Sequence, residues 1–240
     1  MTNPDRLRFD VSLYTVADAA RIVDVHPSTL ATWVTGYRRT PCNGRPVVGS
    51  PTVAATAAER RGEPTIPFVG LAEALVLAAV RRIGVPMQRI RPALEALQQE
   101  IGVEHALASR RLFTDGAELL YDFGDRRRGT DEGDRALELV VAQGEQFVFV
   151  DLIRDYLWRI TYAEDDYASM ISVPAYEWAD VVADPTRSFG APIFQRGGAR
   201  VDDVLERFWS GETLQEVAEE FGVPIEHIED VVRVTSRRAA

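Results

Sequence analysis

The sequence predicts a mainly α-helical protein with small β-elements, an α+β chain built around two helix-turn-helix-like regions. Two observations carry this prediction. Apolar residues recur at helical spacing near both ends and around residues 70–100. Gly- and Pro-rich strings and short runs of β-forming residues lie between these stretches. With 46% hydrophobic and 27% charged residues over 240 positions, the chain can fill real cores and is globular rather than disordered.

The first helix pair is read from residues 14–35. Thr15 can cap a helix beginning at Val16, and Asp18 suits its first turn. Val16, Ala19, Ala20 and Val23 repeat at helical spacing until Asp24 and Val25 break the pattern. Pro27 fits the first position of a second helix. Leu30 and Trp33 lie three apart on its inner face and close a small core with Val25. This leaves His26, Ser28, Thr29 and Thr32 outward, where a recognition helix meets a DNA groove. Tyr37, Arg38, Arg39 and Arg45 follow, and the arginines suit phosphates better than bases. Val47–Val48 and Thr65–Ile66 can form short strands, and a hairpin here would make a wing. The Ala-rich string from Val53 to Arg61 is an alternative helical turn.

In the middle, Leu71, Ala74, Leu75, Ala78 and Ala79 step around a helix, and Gly84 with Pro86 marks a corner before a second helix to Glu100. Residues 111–120 and 137–150 have strand character, separated by a charged loop with Arg126, Arg127 and Arg128. Glu73 lacks a nearby partner in sequence, and the Asp165–Asp166 pair suits a surface or cap role. Near the C-terminus, Asp202 and Asp203 open a helix carrying Val204, Leu205 and Phe208, and Gly211 stops it. Thr213 and Glu216 form a capping box for the next helix; Gly222 and Pro224 turn the chain into a last one.

Charge divides the chain. Residues 1–62 hold 8 Arg against 5 acidic residues, residues 63–112 hold 6 against 5, and residues 113–240 hold 13 against 27, within a formal net charge of -10. Glu212, Glu216, Glu219, Glu220, Glu226, Glu229 and Asp230 crowd the last two helices, whose exposed carboxylates would repel phosphates. A protein contact is therefore expected there, with Phe208, Trp209, Glu216 and Glu220 as candidates for dimerisation or docking. Three segments are expected: a DNA-binding domain over 1–110, a β-containing segment over 111–172 and an acidic trihelical domain over 173–240.

The string YTVADAARIVDVHPSTLATWV resembles the helix-turn-helix of MerR-like regulators, which often have Gly where this chain has Asp24. The segment from Val181 to Arg233 resembles the domain of unknown function 433, with Ala191 and Ala199 where polar residues are usual. Together the two parts resemble VapB-type antitoxins. That resemblance implies a chain that silences a PIN-domain ribonuclease toxin and binds its own operator, as a homodimer. It also implies an arginine at the toxin's acidic metal site, for which Arg233, Arg237 and Arg238 are the candidates. Two other readings stay open: a stand-alone MerR-like regulator, and an interaction module that never touches DNA.

No Walker loop, dinucleotide glycine pattern or nucleophile elbow is present, and the three histidines are far apart, so neither an enzyme nor a cofactor or metal site is expected. The single cysteine excludes an internal disulfide. Residues 1–10 lack an apolar signal core, and the longest apolar runs are too short for a bilayer, so a cytoplasmic protein is expected.

Overall fold

The computed structural model describes residues 4–40, 47–60, 62–82, 95, 98–99, 102–112, 125–130, 134 and 156–239. Most of the helix expected up to Glu100 lies outside these residues, as do Arg45 and the strand expected over 137–150. Of the strand expected over 111–120 only residues 111 and 112 are described, and they are helical.

Helix α1 (Pro4–Phe9) and strand β1 (Ser12–Tyr14) lead into α2 (Val16–Ile22) and α3 (Pro27–Thr35). The Thr15 hydroxyl accepts the Asp18 N–H at 3.1 Å, which satisfies one orphan donor of α2. Pro27 occupies the start of α3, where no N–H is needed. Strand β2 (Tyr37–Arg39) pairs antiparallel with β3 (Val47–Gly49), and this hairpin is the wing. Strand β4 (Ile66–Pro67) pairs with β1 instead of joining the wing. The string Val53 to Arg61 holds no helix among its described residues; the Thr52 and Val53 N–H groups donate to the Trp33 carbonyl, and the Thr56 N–H to the Thr65 carbonyl.

Helix α4 (Phe68–Arg82) is buried on every side from Phe68 to Val80. A helix apolar all round belongs in the centre of a core, and α4 is that centre. One apolar cluster runs from Tyr14, Leu30 and Trp33 through Leu71 and Leu75 to Phe194, Val204 and Ile228. The two ends of the chain therefore share a core. Strands β5 (Ile160–Tyr162), β6 (Ala168–Ser172), β7 (Val181–Ala183) and β8 (Ile193–Phe194) form an antiparallel sheet in that order, which crosses the expected boundary at 172/173. Helices α5 (Val201–Trp209), α6 (Leu214–Phe221) and α7 (Ile225–Ala239) complete the trihelical region. The capping box of Thr213 and Glu216 forms in full, and Gly222 closes α6 at φ 62°.

Glu73 does have a partner. It is 3% exposed; its Oε2 accepts the Ala54 N–H at 2.6 Å and its Oε1 meets His105 Nδ1 at 3.0 Å. The two residues are 32 apart in sequence, so local spacing could not reveal the pair. The Glu73 hydrogen bond outweighs burial and pushes His105 above its ordinary 6.5. A raised histidine stabilises the fold fully below its unfolded pKa and loses that contribution as pH rises through the folded one. Urea titrations at several pH values should therefore show stability falling from about pH 6 upward, and His105→Gln should lack that fall. Parallel pH profiles for the two proteins would refute it.

Candidate nucleic-acid interface

The helix pair folds as its sequence dictates. Ala20 is fully buried where α2 and α3 meet, and its carbonyl accepts the Val25 N–H at 3.0 Å. Leu30 and Trp33 point inward and are almost completely buried. On the outer side Ser28 and Thr35 are exposed and Thr29 and Thr32 half-buried. Ser28 and Ala31 border a groove of about 990 Å³, together with Thr15 and Ala17 from α2 and Arg60 from the facing segment. The start of α2 and the side of α3 that carries Ser28, Ala31 and Thr35 thus face the same space, which His26, Thr29 and Thr32 do not line. Arg38 is exposed on the wing opposite Val48.

Several candidate side chains also carry structural duties. His26 caps α3: its Nδ1 accepts the Ser28 N–H at 3.3 Å and lies 2.8 Å from the Ser28 hydroxyl. The Thr32 hydroxyl donates to the Ser28 carbonyl at 2.9 Å, and Thr29 accepts from Arg81 at 3.3 Å. His26, Ser28 and Arg38 are the exposed residues among the described DNA candidates. Tyr37 sits half-buried at the root of the wing.

The turn between α2 and α3 depends on Asp24. Its backbone is left-handed, φ 57°, a conformation that favours glycine and is tolerated by aspartate. Its carboxylate receives Arg82 from the end of α4 and Arg238 from the end of α7, the latter at 2.7 Å. Arg238 also donates to the Arg21 carbonyl at 3.2 Å, and Arg21 reaches Asp202 on α5 at 3.4 Å. Burial pushes the Asp24 carboxyl up, but the two guanidinium groups outweigh it and hold it below the ordinary carboxylate range. Nothing in the local sequence of residues 20–27 signals this node, because its partners lie 58 and 214 residues away.

At the far end the acidic helices differ from expectation at one residue. Asp230 is not part of the exposed acidic face: it is 1% exposed and accepts the N–H groups of Trp178 and Ala179 at 2.8 and 2.9 Å and Arg233 at 2.5 Å. Burial raises its carboxyl, and these donors more than reverse the effect. Glu216 closes its capping box, and both Glu220 carboxylate oxygens accept from Arg207 Nη2, at 2.8 and 2.9 Å. Phe208 is half-buried against the core, whereas Trp209 is 58% exposed. Of the three C-terminal arginine candidates, Arg233 holds Asp230 and Arg238 holds Asp24, while Arg237 is exposed. Among the described residues no group of histidine, cysteine and carboxylates could hold a metal ion, and no helix is long and apolar enough to cross a membrane.

Residues 12–94 match a family model described as "Putative DNA-binding HTH domain", and residues 181–233 match "Protein of unknown function (DUF433)". The chain is 46% identical, over 94% of its length and 95% of the relative's, to "Putative antitoxin VapB45" of Mycobacterium tuberculosis. The chain belongs to the VapB45 antitoxin family. A solved structure, that of Rv2018 from Mycobacterium tuberculosis, has 43% sequence identity and a TM-score of 0.80, covering 94% of this chain and 99% of that one. A more distant relative, "Uncharacterized protein Rv2308" of the same organism, is 24% identical over 95% of the chain and 92% of its own length. This chain thus carries both a helix-turn-helix and a domain 433, and Asp24 in the first is held by Arg238, at the end of the helix that runs on from the second.

Substitution at Asp24 separates its backbone role from its side-chain role. Both Asp24→Ala and Asp24→Gly lose the two arginine contacts, but only alanine also strains the left-handed turn. Asp24→Ala should be less stable than Asp24→Gly by about 1 kcal/mol in denaturant unfolding. Equal stabilities would show that the turn relaxes. In the wild type the carboxylate's contribution is present above the ordinary aspartate pKa and is lost as pH falls through the lowered folded value.

Proposed function

We propose that the chain is an antitoxin that neutralises a PIN-domain ribonuclease and represses its own operon by binding the operator through α2, α3 and the wing. The observation that carries this reading is full-length likeness to a protein described as an antitoxin, in a fold whose exposed Ser28 borders an open groove and whose wing carries an exposed Arg38. Recognition by hydroxyls with few base-reading arginines implies modest sequence discrimination and a strong phosphate contribution. Arg39 and Arg45 extend the basic run along the wing sequence.

The opposite end of the chain is read as the protein-facing part. Trp209 offers a large exposed ring beside half-buried Phe208, in the family of contacts that anchor interfaces. Arg237 is the C-terminal guanidinium most available to an acidic toxin pocket, since Arg233 and Arg238 already hold carboxylates. A two-fold dimer would let two recognition helices meet two half-sites.

Co-expression with the product of the adjacent reading frame tests the toxin half: the two should purify together, and ribonuclease activity should appear only when this chain is removed. An adjacent product that is active in its presence would end the antitoxin reading. For DNA, R38A should weaken binding to the duplex upstream of its own reading frame and lower the salt slope by about 1, with unfolding unchanged. An unchanged slope would remove Arg38 from the interface.

A further inference from the structure

The C-terminal half of the chain is acidic, yet residues 185–201 contain Arg187, Arg196 and Arg200 and no carboxylate. The fold brings Arg187 to the loop that carries the other two. The Arg187 guanidinium packs over Gly198, 2.9 Å from where a Cβ would sit, midway between Arg196 and Arg200. Arg196 and Arg200 are exposed, and none of the three makes an ion pair among the described residues. In the same loop Ser188 and Phe189 both adopt left-handed backbone, φ 46° and 52°, and Phe189 is 75% exposed. Two strained non-glycine residues holding an aromatic ring in solvent cost stability without contributing to the core.

The fold sets this loop beside the helix pair. The Tyr14 hydroxyl donates to the Gly190 carbonyl at 3.0 Å in a buried contact, and a side chain at Gly190 would collide with Tyr14 at 2.1 Å. Tyr14 directly precedes Thr15, the cap of α2 that borders the groove in front of α3. The Arg21–Asp202 and Arg238–Asp24 contacts fix the surrounding helices against α2. In helix-turn-helix docking the first helix crosses the phosphate backbone, so a basic loop at its start lies along the continuing strand.

We infer that the loop of residues 186–200 is a second DNA-contacting element, in which Arg187, Arg196 and Arg200 hold phosphates and Phe189 packs on an adjoining sugar or base. This rests on the operator-binding reading above and extends it to the half of the chain whose overall charge argues against DNA. Guanidinium groups free of carboxylates favour phosphate, and a neighbouring aromatic ring is a common platform for nucleotides.

The test uses the full chain and two fluorescent duplexes, one from the region upstream of its own reading frame and one of unrelated sequence, titrated at several salt concentrations. R196E/R200E should bind both at least about tenfold more weakly near physiological salt, with the salt slope reduced by about 2 and the melting temperature little changed. Phe189→Gly should raise the melting temperature, because it relieves a left-handed phenylalanine, while weakening DNA binding. Wild-type affinity and slope in R196E/R200E would overturn the inference while leaving operator binding through α3 intact. So would a variant that keeps DNA affinity but no longer purifies with the co-expressed toxin, which would assign the loop to a protein partner. Unchanged DNA affinity in Phe189→Gly would remove the ring from the interface. If the wild type binds neither duplex, the operator reading fails and this inference with it.

Discussion

The Asp24 carboxylate is the point on which the arrangement of this molecule turns. It sits in the left-handed turn between α2 and α3, and it receives arginines from the end of the buried central helix and from the end of the last helix. One side chain thereby links the turn of the helix pair to the end of α4 and to the end of α7. Glycine would satisfy the backbone at this position but could not make the other two connections. The half-exposed setting limits the strength of each ion pair, since solvent screens it. The shared apolar core supplies the bulk of the cohesion, and the carboxylate supplies registration between parts that apolar packing alone would leave free to slide.

Charge is distributed on a finer scale than the division into halves suggests. The acidic C-terminal region buries one of its carboxylates, Asp230, as a cap for the Trp178–Ala179 backbone, and neutralises another, Glu220, with Arg207. It also contains a stretch without acids that the fold brings against the start of α2. Mean charge therefore describes neither end well. What matters for a phosphate or a protein partner is which groups remain unpaired and where the fold exposes them.

Local chemistry made much of the architecture legible. Thr15, Pro27, Gly211, and the Thr213–Glu216 box mark helix ends because each satisfies or removes a terminal backbone group within a few residues. Leu30 and Trp33 declare the inner face of α3 by their spacing, and the hydroxyls opposite them declare its outer face. Strand partners were harder to read. Val47–Val48 and Ile66 look alike as β-formers, yet the first pairs with β2 and the second with β1, since strand pairing depends on where distant segments meet.

The helix pairs near the two ends, their caps and turns, the α+β class and the membership suggested by the two motifs were all written in local residue order. These depend on neighbours within about four residues, the reach of a helical turn. That Glu73 meets His105, that Asp230 is buried, that Arg238 grips Asp24 and that the 186–200 loop lies beside Tyr14 came only from the folded chain. Those contacts join residues from 32 to 214 positions apart, and a carboxylate reads the same in sequence whether a distant arginine covers it or water does.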